Sequence, residues 1–350
     1  MFKAVDAFCG AGGLSLGLMK ANFDIVYSFD NDKNCIETLK NNRKYFSHEV
    51  KQIGVEDLLD GVLLKNISMK RGELDLLAGG PPCQGFSIQR TVGTDIDSRN
   101  DLVHKYGDLI LEVFPKVFLL ENVASLGGKR GKVILSEFIQ RMTESGYECY
   151  QEVLNAQEYG VPQRRKRYII IGTRNDLGGV FQWPKKSSKF VTVREVLGKL
   201  PPPPTDGKDH PHFPGHRADR LSSLNQQRLM AITAGQGRVD LPDHLLAECH
   251  RVSANTIGHR NVYGRMAWDE VAPTITARFD SFTRGQFGHP DQVRSISLYE
   301  GSLLQTFPDD FKFIGTKVQV ASQIGNAVPP ALGLALGKSI HSFLKRNLNV

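Results

Sequence analysis

The chain has 350 residues, 40% hydrophobic and 23% charged, which is enough apolar material for one large domain or a large and a small one, and excludes a disordered polymer. Lys plus Arg number 44 against 37 Asp plus Glu, a formal charge of +7 that suits a polyanionic partner without requiring one. Five scattered cysteines (Cys9, Cys35, Cys83, Cys149, Cys249) without a Cys-x-x-Cys pair argue against a disulfide framework or a zinc site and for a reducing, intracellular setting. The first residues enter a strand at once, and no stretch approaches about 18 consecutive apolar residues, so the expectation is a soluble, unexported protein.

In chain order, Phe2 to Phe8 predicts a strand, Cys9-Gly10-Ala11-Gly12-Gly13 a turn, and Leu14 to Ala21 a helix. This is the nucleotide-binding corner of a βαβ unit: glycines admit a ligand to the backbone and the helix N-terminus favours negative groups. Asp24 to Phe29 predicts a second strand ending at Asp30, near the spacing at which an acid receives ribose hydroxyls, so a nucleoside cofactor is expected. Ser15 stands where a dinucleotide fingerprint would have its third glycine, which weakens a nicotinamide reading. After a helix over Lys33–Asn41 and a third strand, Asp57 is either another acid at a strand end or a solvated loop residue.

Leu74 to Ala78 is short, apolar and bounded by Gly79-Gly80, as expected of a buried strand. Pro81-Pro82 stiffens the exit and leads to Cys83, beyond the carboxyl end of the strand, where open α/β sheets bind ligands. A lone cysteine is ordinarily a small buried hydrophobe. The polar stretch from Arg90 to Asn100 predicts a long active-site loop, and Asp101 to Val113 a helix that Pro115 terminates. Val117 to Leu120 predicts the next strand, running into Glu121-Asn122-Val123. Asp30, Cys83 and Glu121 are thus expected just past successive strand ends, on one edge of a parallel sheet.

Val133 to Ser145 predicts a helix, Glu148 to Asn155 a strand, and Tyr168 to Gly172 another strand entered through Gln163-Arg164-Arg165-Lys166-Arg167. Alternation places Arg165 and Arg167 on one side and Arg164 and Lys166 on the other. From about Phe181 to Asp291 the α/β alternation fades. This region predicts a second, irregular domain with a β-like segment over Ala272–Phe279 and a polar loop at His210, His212 and His216. Arg260, Arg265, Arg278, Arg284 and Arg294, set among Gly, Ser, Thr and Phe, have a composition suited to phosphates and base edges. A helix over Ala331–Leu344 closes the chain.

These motifs together resemble the bacterial-type DNA (cytosine-5)-methyltransferases, from Asp6-Ala7-Phe8-Cys9-Gly10-Ala11-Gly12-Gly13 through Gly79-Gly80-Pro81-Pro82-Cys83-Gln84, Glu121-Asn122-Val123 and Gln163-x-Arg165-x-Arg167 to Gly325-Asn326-Ala327-Val328-Pro329. The resemblance spans nearly the whole chain. It implies an α/β, Rossmann-like S-adenosylmethionine-dependent methyltransferase fold whose parallel-rich sheet carries one antiparallel excursion, with a smaller, irregular target-recognition domain. The expected division is a catalytic and cofactor-binding domain over 1–180, completed by 318–350, and a recognition domain over 181–317.

By the same resemblance Cys83 is the nucleophile that attacks C6 of a flipped-out cytosine, Glu121 holds the N3 edge and Arg165 the O2 side. Phe8, Gly10, Gly12, Asp30, Asp57, Leu102 and Asn326 are expected to line S-adenosylmethionine, and Ser87, Arg99, Arg167 and Thr274 to contact DNA. The partner is duplex DNA, with no membrane and no metal, and the protein is expected to be a monomer in the cytoplasm, associated with the nucleoid through DNA and serving restriction-modification or regulatory methylation. Competing readings are an RNA cytosine-5 methyltransferase of the same fold, a silent nucleic-acid-binding relative and a nicotinamide oxidoreductase. The chain departs from the family at Leu298-Tyr299-Glu300, where Pro-Arg-Glu is usual, and at Leu303, where a second arginine is usual; both put the packing of the recognition domain in question.

Overall fold

A computed structural model of the chain describes residues 1–82, 101–128, 131–248, 251 and 262–348. Cys83, Ser87, Arg99 and Arg260 lie outside the described residues. The chain divides into two compact units, one of Met1–Tyr159, Lys166–Lys186 and Val328–Val350, the other of Gly160–Arg165 and Ser187–Ala327.

The described strands of the first unit form a seven-stranded sheet in the order β3-β2-β1-β4-β5-β7-β6: β1 (Phe2–Ala7), β2 (Phe23–Asp30), β3 (Glu49–Gln52), β4 (Leu76–Gly79), β5 (Val117–Val123), β6 (Tyr147–Asn155) and β7 (Lys166–Arg174). Strands β3, β2, β1, β4 and β5 pair in parallel, while β7 runs antiparallel between β5 and β6. Helices α1 (Gly13–Lys20), α2 (Lys33–Asn41), α3 (Val62–Asn66), α4 (Asp101–Val113) and α5 (Lys132–Glu144) make the crossovers. The central strands read as near-continuous apolar runs because both faces are covered: Val5, Leu77, Phe118, Leu120 and Ile170 share one fully buried cluster with Tyr106 and Leu109 of α4.

The C-terminal helix (Pro330–Asn347) returns to this unit and packs on α1. The crossing is so close that a Cβ on Gly17 would lie 2.5 Å from the Gly333 carbonyl carbon and the Leu334 nitrogen, so glycine is required there by space. His341 adds an edge-on contact to Phe2 at the start of β1.

Strand β5 is longer than its apolar run predicts. Its last partner in β4 is Leu120 opposite Gly79, but its pairing with β7 continues to Val123 opposite Arg167. Glu121, Asn122 and Val123 therefore lie within β5 and overhang the end of β4, correcting the expectation that Glu121 follows the end of its own strand. Asp30 is the last residue of β2, and Asp57 sits in an exposed 3-10 turn (Glu56–Leu58) rather than at a strand end.

The second unit contains short helices α6 (Val193–Leu197), α7 (Ser223–Met230), α8 (Leu298–Leu304) and α9 (Lys317–Asn326), none of them foreseen from sequence. Its described residues form two apolar clusters, one with Met266, Ile275, Phe279, Leu304 and Ile324, the other with Leu229, Ile232, Leu241 and Phe282. Ala272–Phe279 is not a strand: its backbone makes one isolated bridge, Ala272 with Gln163, and Ile275 and Phe279 serve as core side chains of an otherwise irregular segment.

Buried polar groups supply much of the order that regular structure does not. The Gln163 side chain donates to the Leu304 carbonyl and to Gln305 Oε1, each at 2.9 Å, and accepts from the Ile275 N–H at 3.0 Å. Glu300 receives both ends of the Arg294 guanidinium at 2.7 Å, and it also closes a capping box with Ser297 at the start of α8. Burial alone would raise the Glu300 carboxyl; Arg294 and the Ser297 N–H outweigh it and hold the group below its ordinary range. Tyr299, the departure from the family pattern, packs against Phe213 with ring centroids 5.1 Å apart and against His216 at 5.6 Å. An aromatic contact thus occupies the position where the family places a cation. The other departure, Leu303, packs on the apolar cluster.

Candidate active site

At the carboxyl ends of β1 and β2 the chain turns through three left-handed residues, Phe8 (φ 54°), Gly10 (φ 51°) and Gly12 (φ 80°). A Cβ on Gly12 would meet the Phe46 ring at 2.6 Å, whereas one on Gly10 would meet nothing within 4 Å. Glycine at 10 is thus demanded by backbone conformation, and the space over it is open. Beside that space, Asp30 accepts from the Gly10 N–H at 2.9 Å through one carboxylate oxygen and from the Asp32 N–H at 2.8 Å through the other. Each oxygen keeps a second lone pair, so the carboxylate is fixed in place and still able to accept. Burial raises its pKa, opposed by those two N–H bonds.

Gly12, at the N-cap of α1, has no side chain to satisfy the first turn. Asp6 does this from β1, accepting from the Ser15 N–H at 3.1 Å and the Ser15 hydroxyl at 2.5 Å. Ser15, which breaks the dinucleotide fingerprint, is therefore a structural partner of a carboxylate that is 1% exposed. Burial pushes Asp6 up to about 7, against the two Ser15 bonds and with help from the nearby Asp30 charge. The polar chain continues from Ser15 to the Ser28 hydroxyl (3.4 Å) and from there to His48 Nε2 (2.8 Å). In the sequence Asp6 stands out only as part of a motif; the signal that marks it is a glycine N-cap following a strand acid.

At the other side of β1, β4 delivers Gly79-Gly80 and Pro81 toward Cys83. Asn122 Nδ2 donates to the Pro81 carbonyl at 2.9 Å while its Oδ1 accepts the Val123 N–H at 2.8 Å, which ties the loop entrance to β5. A Cβ on Gly80 would lie 3.2 Å from a carboxylate oxygen of Glu121, so Glu121 rests over the start of that loop. Glu121 is 8% exposed. Opposite it in the ladder stands Ile169, and Arg167, two residues along β7, reaches diagonally across the same face to place Nε 2.8 Å from Glu121 Oε1. The N–H is not aimed along that line, so Oε1 has no aligned hydrogen bond among the described residues. Burial lowers the Arg167 pKa and Glu121 opposes it.

The Gln163-x-Arg165-x-Arg167 motif is divided between the units: Gln163 and Arg165 belong to the second, Arg167 to the first. Arg165 is 0% exposed and donates at 2.9 Å to the carbonyls of Ile275, Gly325 and Ala327. This differs from the expected contact with a base edge: a guanidinium on three main-chain carbonyls braces the segment around Gly325. There α9 approaches so closely that a Cβ on Gly325 would overlap the Thr276 carbonyl at 2.1 to 2.2 Å. Arg167, expected on DNA, is the cation beside Glu121.

Among the other expected residues, Phe8 packs against Phe29 and Tyr106, and Leu102 lies in the first turn of α4 against the core. Thr274 donates its hydroxyl to the Arg164 carbonyl, and Asn326, exposed at the end of α9, donates to Ser322 at 3.2 Å. Of the arginines expected on phosphates and bases, Arg265 and Arg294 are buried structural braces, while Arg278 and Arg284 are exposed. Among the described residues no group of three His, Cys, Asp or Glu is placed to hold a metal, and no helix is long and apolar enough to cross a membrane.

A Rossmann-like sheet with one antiparallel strand, a glycine corner and an acid at the end of β2 defines the fold of the S-adenosylmethionine-dependent methyltransferases. The family model for C-5 cytosine-specific DNA methylases matches residues 2–342. The chain is 33% identical to Type II methylase M.HgiDII of Herpetosiphon aurantiacus, covering 97% of this chain and 95% of the relative. It is 35% identical to Type II methyltransferase M.PspPI of a Psychrobacter species, covering 98% and 80%. Among solved structures it resembles DNMT2 of Spodoptera frugiperda with a TM-score of 0.62 at 17% identity, over 97% of this chain and 100% of that one. The protein belongs to the C-5 cytosine-specific DNA methylase family, and it is a DNA cytosine-5 methyltransferase.

Proposed function

We propose that the protein methylates C5 of a cytosine flipped out of a short duplex DNA sequence, with Cys83 as nucleophile and the Glu121–Arg167 pair as the group that receives the base edge. The observation that carries this reading is the Glu121 carboxylate, buried over Gly80-Pro81 at the entrance to the Cys83 loop with an unaligned acceptor oxygen.

C5 of cytosine is a weak nucleophile, and adding a thiolate to C6 makes it strong. The Cys83 sulfur forms the S–C6 bond, and the displaced electron pair is stabilised through the N3 edge by Glu121, as hydrogen-bond partner or proton donor. Arg167 keeps the carboxylate oriented and balances its charge. It also takes over, in this proposal, the O2 side that the resemblance gives to Arg165, which serves as a positioning residue. S-adenosylmethionine supplies the electrophilic methyl group. Asp30, beside the open space over Gly10, would receive its ribose hydroxyls, with Phe8, Gly12 and Leu102 around that corner; Asp57 and Asn326 are further candidates for the same ligand. After C5 takes the methyl group, water or a base removes the C5 proton and the S–C6 bond breaks, freeing Cys83. Flipping the base costs a few kcal/mol, which contacts from Ser87, Arg99 and Thr274 would offset.

The relatives named as Type II methyltransferases support a role in restriction-modification. The test is Cys83→Ser, together with duplex DNA carrying 5-fluorocytosine. The variant should bind DNA without transferring methyl groups, and the wild type should form a stable protein–DNA adduct because fluorine at C5 cannot be eliminated. Normal turnover by the variant, or methylation without an adduct, would overturn the covalent route.

A further inference from the structure

Besides Arg165, the described residues of the second unit include four arginines whose side chains are almost entirely buried: Arg228, Arg238, Arg265 and Arg294. Three are fully accounted for as braces. Arg228 donates to the Leu245 carbonyl and to Asn225 and stacks on Tyr263 at 4.3 Å. Arg265 donates to the carbonyls of Leu229, Ile232, His289 and Gln292. Arg294 is bidentate to Glu300. Arg238 differs. It is 2% exposed, yet neither terminal nitrogen has a hydrogen-bond partner among the described residues. The nearest acid in sequence, Asp240, uses its Oδ2 to accept the Gly237 N–H at 2.9 Å.

A guanidinium stays charged at any physiological pH, and burying one without partners destabilises the free protein. The backbone that carries it is nevertheless firmly placed. Gly235 N donates to the Arg265 carbonyl at 3.2 Å, Arg265 N donates to the Gln236 carbonyl at 2.9 Å, and Arg238 N donates to the Val262 carbonyl at 3.0 Å. Gln236 Oε1 accepts the Thr233 N–H at 2.8 Å, and Gln286 donates to the Gly235 carbonyl at 3.0 Å. The mount is rigid, while neither terminal nitrogen of the side chain is hydrogen-bonded among the described residues. Rotating it outward breaks no hydrogen bond of those two nitrogens to a described residue, whereas moving Arg228, Arg265 or Arg294 would break several.

We infer that Arg238 is a DNA contact of this enzyme, its guanidinium swinging out to a pair of acceptor atoms on the duplex, either a guanine edge or a phosphate. The inference rests on the DNA methyltransferase reading and deepens it by naming a residue that sets where the enzyme binds. Paired acceptors are the ligand a planar fork recognises, and the partner already proposed carries both kinds.

The experiment compares wild type with Arg238→Met and Arg238→Lys on duplexes of randomised sequence around a central cytosine. It reads the methylated sites by bisulfite sequencing, the affinity across a salt series, and the melting temperature. Arg238→Met should melt at or above the wild-type temperature and bind DNA about 10-fold more weakly. If the acceptors belong to a guanine, sequence preference relaxes at one position, the salt dependence is unchanged and lysine does not rescue. If they belong to a phosphate, all sequences weaken together, the salt slope falls by about one and lysine rescues in part. Affinity, salt slope and site spectrum all within twofold of wild type would overturn the inference. So would a melting temperature lowered by several degrees in Arg238→Met, which would mark the guanidinium as a structural brace. If the wild type forms no 5-methylcytosine, it is the methyltransferase reading that fails, whatever the variants do.

Discussion

Asn122 Nδ2 donates to the Pro81 carbonyl at 2.9 Å, so the residue after the proposed base-binding acid holds the backbone two residues before the proposed nucleophile. Asn122→Ala removes that donor and leaves a buried carbonyl unsatisfied, at a cost of about 1–3 kcal/mol. The effect on chemistry should exceed the effect on stability, because a displacement of about 1 Å between reacting atoms can cost on the order of 100-fold in rate. Single-turnover methylation should fall by that order while S-adenosylmethionine affinity, measured by calorimetry, is unchanged. A variant with the wild-type rate would show that the tie does not position Cys83.

Arg167→Met leaves Glu121 buried over Gly80 without its cation. Removing one partner of a buried pair costs about 3–5 kcal/mol, and with both side chains slightly exposed the lower end is expected. Chemical denaturation should show that loss, together with a fall in kcat, and Arg167→Met/Glu121→Gln should recover much of the stability while remaining inactive. Failure of the double variant to recover stability would mean that Arg167 is held by something other than the pair.

Asp6 and His48, at the two ends of one polar chain, oppose each other in the pH dependence of stability. Asp6 is raised to about 7 by burial, so the fold favours its protonated form; its contribution is complete below about 4 and is lost as pH rises through about 7. The magnitude is on the order of 4 kcal/mol. His48 is lowered to about 4, chiefly by burial, so the fold favours neutral imidazole; its contribution is present above about 6.5 and is lost as pH falls through about 4. Asp6→Asn should therefore flatten the decline in stability between pH 4 and 7, and His48→Gln should flatten the rise between pH 4 and 6.5. Melting temperatures in a pH series would decide, and parallel curves for wild type and Asp6→Asn would show that Asp6 ionises normally.

Arg294→Met strands the Glu300 carboxylate, which is 1% exposed, and should destabilise the protein by about 3–5 kcal/mol. Arg294→Met/Glu300→Leu gives up the two 2.7 Å bonds but also the buried charges, and should return close to wild-type stability apart from the lost α8 capping box. Equal losses in the single and double variants would remove the pair as the reason these residues are buried.

Much of the first unit was legible because its signals are local. The predicted helices Lys33–Asn41 and Asp101–Val113 match the observed bounds, and the apolar runs at β1, β2, β4 and β7 announce strands buried on both faces. The second unit was less so. Helix α9 carries an apolar stripe too short to stand out, and Ala272–Phe279 has the β-branched and aromatic composition of a strand but finds no neighbour to pair with along its length. Its arginines looked alike as letters. Whether each is a brace or a free cation depends on which carbonyls and carboxylates fold around it, and periodicity carries no such information.

The sequence by itself determined the sheet, the glycine corner, the acid at the end of β2 and the family, since each follows from residues close together along the chain or from a motif. Tertiary structure decided the surroundings of Arg165 and Arg167. The antiparallel pairing of β7 with β5 carries Arg167 diagonally onto Glu121, while Arg165, two residues earlier, is taken up by three carbonyls from segments more than 100 residues away. Alternation along a strand says that two side chains share a side; only the neighbouring elements determine which of them meets the acid.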